Sequence, residues 1–123
     1  MNISGNISSK WHTGGIVGEI PNGNSTTIRN CTNKVNVTGV NAVGGILGYG
    51  GATETAQIII ENCNNYGDMT ITEGSWGYTG AGGIAGSGIT EITNCNNYGK
   101  ISGNHRMGGI VAYTVRKNNK LCK

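Results

Sequence analysis

Apolar residues in this chain fall in short islands, and corners rich in Gly and Asn separate them. No island is long enough to form a helix. Short runs containing Ile, Val and Thr, bounded by turn formers, predict strands. The islands also recur. Asn30-Cys31-Thr32-Asn33, Asn62-Cys63-Asn64-Asn65 and Asn94-Cys95-Asn96-Asn97 are near-copies, with the three Cys at intervals of 32 residues and Ile28, Ile60 and Ile92 each three residues before a Cys. After each Cys comes an apolar residue followed by a hydroxyl: Val37-Thr38, Met69-Thr70 and Ile101-Ser102. Ile3-Ser4-Gly5 matches this second phrase near the start of the chain. A third phrase follows each time, as Gly14-Gly15-Ile16-Val17-Gly18, Gly44-Gly45-Ile46-Leu47-Gly48, Gly82-Gly83-Ile84-Ala85-Gly86 and Gly108-Gly109-Ile110-Val111-Ala112.

The repeat predicts a single all-β domain over residues 1–123, a parallel β-helix (β-solenoid) of about four coils with three short strands per coil. The units run approximately over 1–30, 31–62, 63–94 and 95–123. The last is degenerate, since Cys122 lacks the Ile and Asn that precede the other Cys. Coils stacked about 4.8 Å apart would place like on like. The expected ladders are Ile16, Ile46, Ile84 and Ile110; Cys31, Cys63 and Cys95; and Asn30, Asn62 and Asn94. Ladders of this kind fill a narrow interior without large aromatics, which suits a chain with no Phe and 36% apolar residues. The 23 Gly against one Pro would fit a disordered segment, but their periodic placement argues for order. Gly before Ile fits a corner or a close approach between coils, and Asn tolerates left-handed backbone and can bond along a stack.

The Gly-Gly-Ile-Val-Gly and Gly-Gly-Ile-Leu-Gly phrases, alternating with Asn-Cys-x-Asn phrases, resemble the GLUG-type repeats of large bacterial surface proteins, including some that flank IgA-cleaving metallopeptidases. The resemblance runs to about Ala112 and departs from the pattern from there to Lys123. It implies an extracellular or cell-surface stalk or adhesive module, and it carries over no reaction and no catalytic residue.

The formal charge of +3 comes largely from Arg116, Lys117, Lys120 and Lys123, which fit a solvated cap on an open strand edge better than a nucleic-acid surface. No segment is apolar for long enough to insert in a membrane, and no charged-then-apolar leader precedes the repeats. If the protein is exported, residues 1–123 are expected to be a mature piece. A whole unit separates successive cysteines, so they lack the short spacing of a zinc site. A disulfide between stacked neighbours has a suitable distance but an unsuitable dihedral. The remaining reading is a ladder of buried thiols used as small polarizable filler.

Neither a catalytic site nor a cofactor is expected. Glu19, Glu54, Glu61, Asp68, Glu73 and Glu91 fall in different units and mostly different phases. Glu61 and Asp68 bracket one strand, but solvated corners explain them as well. His12 and His105 each precede a Gly-Gly-Ile phrase, with two coils between them, which is too far to share a metal. Binding is better supported. Measured from the Ile-Ser-Gly phrases, the connections Val40 to Val43 and Asn104 to Met107 are short, while those of the first and third units are long and carry Trp11 and His12, and Trp76 and Tyr78. Long connections map to one side of a stack and exposed aromatics anchor contacts, although Trp can equally cover the interior. Tyr66 and Tyr98, at equivalent corners, read as a stacked pair.

The expected partners are a host protein or glycan, neighbouring repeats of a longer chain, or the chain itself stacked end to end. The last reading rests on the first and last coils completing each other, which would give a fibre. A flat hydroxyl ladder of the ice-binding type, through Ser4, Thr38, Thr70 and Ser102, is weaker, because only the third unit has a Thr-x-Thr pair.

Overall fold

The computed structural model describes residues 2–9, 12–72, 80–103 and 107–113, which form parallel sheets of short strands and contain no helix. Four sheets are present among them. The first holds Asn2–Ser8, Thr32–Gly39, Asn64–Asn65, Met69–Ile71, Asn96–Asn97 and Ile101–Ser102. The second holds Thr13–Gly14, Ala42–Gly44, Gly80–Gly82 and Met107–Gly108. In the third are Val17–Ile20, Leu47–Gly50, Ala85–Ser87 and Val111–Tyr113, and in the fourth Thr26–Arg29, Ile58–Glu61 and Glu91–Thr93.

Within each sheet a strand pairs with its counterpart in the next unit. Ile28 stands beside Ile60 and Ile60 beside Ile92, a constant step of 32 residues. In the second sheet the step is 30 from Thr13 to Val43, 38 from Val43 to Ala81 and 26 from Ala81 to Met107. The connections absorb these differences, and the pairing keeps its frame.

Two expectations are corrected. Each of the first three units contributes to four sheets, where three strands per coil were expected, because the Gly-Gly-Ile phrase is a corner. The chain leaves the second sheet at Gly44, bends through Gly45 and Ile46 and enters the third at Leu47. Glycine has no side chain to pack in a strand and suits such a bend.

The first unit also lies in a different frame. Ile7 and Ser8, and not Ile3 and Ser4, pair with Val37 and Thr38. The two frames differ by four residues, an even number, so the alternation of faces is the same in both and cannot choose between them. Pairing chooses: a step of 30 serves Asn2–Ser8, Thr13–Gly14 and Val17–Ile20 alike. From hydroxyl to second sheet the distance is then five residues in the first, second and fourth units (Ser8 to Thr13, Thr38 to Val43, Ser102 to Met107) and eleven in the third (Thr70 to Ala81). The connection bearing Trp11 and His12 is therefore no longer than its counterparts. The hydroxyl column starts at Ser8.

Alternation along Thr32–Gly39 places Asn33, Val35 and Val37 inside and Lys34 and Asn36 outside. Inside, the apolar residues form two clusters. Val35, Val37, Val43, Met69, Ile71 and Ala81 join the first and second sheets, while Ile46, Leu47, Ile58, Ile60, Ile84, Ile92 and their neighbours join the third and fourth. Each fully buried Ile or Leu contributes roughly 1.5–3 kcal/mol relative to exposure.

Candidate functional site

A polar seam runs along the stack beside these clusters. Asn30, Asn62 and Asn94 have φ of 57°, 54° and 53°, so they form the left-handed corners that precede the Cys. The amide ladder lies three residues further on, at Asn33, Asn65 and Asn97. Asn33 Nδ2 donates to Asn65 Oδ1 at 2.7 Å, and Asn65 Nδ2 to Asn97 Oδ1 at 2.8 Å. Each amide also closes a local ring with the residue two positions on. Asn65 Nδ2 donates to Gly67 O at 2.8 Å and its Oδ1 accepts from Gly67 N at 3.1 Å. Asn33 does the same with Val35, and Asn97 with Gly99. Asn33 and Asn65 are wholly buried, so this bonding is what makes their burial tolerable. The second Gly of each Gly-Gly pair makes room for the seam: a Cβ on Gly45 would collide with the Asn65 amide and the Gly83 carbonyl oxygen.

Ile16, Ile46, Ile84 and Ile110 follow one another at the Gly-Gly corner, joined by backbone bonds of 3.3, 2.9 and 2.9 Å. Cys31, Cys63 and Cys95 are free thiols. Asn64 N donates to Cys31 O and Asn96 N to Cys63 O, which puts the three in one column. Each sulfur lies 3.3 Å from the carbonyl oxygen two residues before it, at Arg29, Glu61 and Thr93. The bond with Cys95, and then burial, push the Cys63 thiol far above its ordinary value; burial, and then the neighbouring Cys63, raise Cys31. These are inert thiols, since reactivity belongs to the thiolate. No group of three or more His, Cys, Asp or Glu among the described residues is placed to hold a metal ion.

The outward face of the first sheet is the most chemically varied surface. Tyr66 and Tyr98 stack with ring centroids 4.8 Å apart and an interplanar angle of 14°, and they are 51% and 63% exposed. On one side of them Asn96 Nδ2 donates to Asn64 Oδ1 at 3.0 Å. On the other, Asp68 N donates to Asn36 Oδ1 and Lys100 N to Asp68 Oδ1, both at 2.9 Å. The face thus carries a tyrosine column between two rows of amide and carboxylate groups, repeated at the strand spacing of about 4.8 Å. The rings use their inner faces on each other and leave edges and hydroxyls to a ligand. The signal for this surface in the sequence is the Asn-x-Gly-Asp/Lys run after each tyrosine-bearing corner.

No family model, curated protein or solved structure matches this chain.

Of the loop residues singled out by sequence, Trp11, Trp76 and Tyr78 lie outside the described residues, as do His105 and Glu73. His12 is described. Its Nδ1 lies 2.6 Å from Glu19 Oε1 and its ring stacks on Tyr49 at 4.5 Å, so it is bound into the third sheet, where Glu19 pairs with Tyr49. Glu61 pairs with Arg29 at 3.6 Å in the fourth sheet, whereas Asp68 caps Lys100 in the first, so the two acids that bracket a strand serve different sheets. No helix among the described residues is long and apolar enough to cross a membrane.

Proposed function

We propose that this chain is a segment of a parallel β-solenoid and acts as a rigid, non-enzymatic module of a bacterial surface or secreted protein, working outside the cell as a stalk or adhesive surface. The observation that carries the reading is the amide seam. Asn33, Asn65 and Asn97 bond side chain to side chain through three successive units, an arrangement that fixes each unit's height and rotation on its neighbour. A chain stacked in this way holds a surface in space. The resemblance to GLUG-type repeats supports the extracellular setting. The surface offered is the outward face of the first sheet, where the Tyr66–Tyr98 column and its flanking polar rows suit a polymer with many hydroxyls, such as a glycan.

The test is rigidity along the stack. Spin labels placed at positions 34 and 98, in one column and two units apart, should give a single narrow distance near 10 Å, twice the strand spacing. A broad distribution would contradict a rigid module.

A further inference from the structure

Resting on the solenoid reading, we infer that the free edge of the fourth unit is a docking surface for a second copy of this chain, whose first unit continues the stack. Two groups point beyond the fourth unit. A Cβ on Gly15 would strike the Gly45 carbonyl oxygen and the Asn33 amide; on Gly45, Gly83 and Asn65; on Gly83, Gly109 and Asn97. In each case the next unit makes the glycine necessary. Gly109 stands at the same place in the fourth unit, and a Cβ there would meet nothing within 4 Å. Asn97 shows the same direction. Asn33 and Asn65 each give one amide hydrogen to their own loop and one to the following Asn, while Asn97 Nδ2 bonds Gly99 O alone among the described residues.

The first unit has the complementary form. Gly48 and Gly86 are crowded by the backbone of the unit before them, and the equivalent Gly18 meets only the His12 carbonyl oxygen at 3.4 Å. Apolar residues are complete in the middle and open at both ends: Val37, Met69, Ile46, Ile84, Leu47 and Ala85 are fully buried, whereas Ile7, Ile16 and Val17 at one end and Ile101, Ile110 and Val111 at the other are half-buried. Continuing the observed frame across a junction sets Ile7 on Ile101, Gly15 on Gly109, Ile16 on Ile110 and Val17 on Val111. Column for column, these are the neighbours found inside the chain. One column does not match: position 3, an Ile, would meet Asn97 where an Asn continues the seam elsewhere. The junction is therefore weaker than an internal step. It is also heterologous and does not close, so growth is linear, with a rise of about 19 Å per four units at the strand spacing.

The test is sedimentation of residues 1–123 over roughly 1 µM to 1 mM with electron microscopy of the same samples, on the unaltered chain and on Gly109→Val, Ile3→Asn and Gly83→Val. The unaltered chain should form linear oligomers as concentration rises. Gly109→Val should stay monomeric throughout and melt as the parent does, because its added carbons meet only solvent in a single chain. Ile3→Asn should lower the concentration for half-assembly about fivefold, the worth of one hydrogen bond. A monomer over the whole range, or oligomers indifferent to Gly109→Val, would overturn the inference while leaving the solenoid reading in place. Gly83→Val separates the two ideas. It should fail to fold, and if it folded like the parent the stacked-unit reading itself would fall.

Discussion

The Asn33–Asn65–Asn97 column and the Cys31–Cys63–Cys95 column run side by side through the same three units, two residues apart, yet they hold the chain by different means. The amides bond directionally to the next unit and to their own loop, so each satisfied donor fixes where its neighbour must sit. The thiols bond weakly and contribute mostly volume and contact. One column specifies register and the other fills space. Conserving volume should therefore suffice at Cys63 and fail at Asn65.

The largest expected effect is at the amide column. Asn65→Ala removes four hydrogen bonds and leaves Gly67 N, Gly67 O, Asn33 Nδ2 and Asn97 Oδ1 without partners in a buried site. A loss of about 4 kcal/mol follows, read by urea denaturation, which is enough to unfold a marginal domain. Cys63→Ala should cost about 1 kcal/mol in the same assay, since a small void replaces one sulfur. If the two losses were equal, the contrast between the columns would not hold.

A smaller effect concerns pH. The Cys63 thiol is raised in the folded chain, so folding favours its protonated form. The contribution is fully present below the ordinary thiol value near 9 and is lost as pH rises beyond it. Stability measured from pH 8 upward should fall less steeply in Cys63→Ala than in the parent, and identical slopes would show that the thiol is not buried as described. The smallest effect on stability belongs to the exposed pair. Tyr98→Ala should cost about 0.5–1 kcal/mol through the lost stack with Tyr66, while weakening any glycan binding by the outward face.

The repeat and the strand class were legible in the sequence because identical residues return at fixed intervals, and stacking like on like is the simplest way to pair them. The seam was harder to see. Asn30 and Asn33 occur in the same four-residue phrase, and nothing in the phrase itself tells the one that bends the backbone from the one that bonds along the stack. The distinction comes from alternation: Asn33 shares its parity with Val35 and Val37, which face the interior. Ile3 and Ile7 were exchanged for a related reason, both lying on the same face of one strand. Reading Gly-Gly-Ile as a strand failed because the crowding around Gly45 comes from a residue of the next unit, and local sequence does not record it.

The central claim is that buried amides link successive units, and the side-chain amide protons report on it directly. Nuclear magnetic resonance of the labelled chain should show nuclear Overhauser contacts from the Asn33 amide to that of Asn65, and from Asn65 to Asn97. Solvent exchange at Asn33 and Asn65 should be far slower than at the exposed Asn24. Exchange as fast as at Asn24, with no contact between Asn33 and Asn65, would contradict the stacked arrangement.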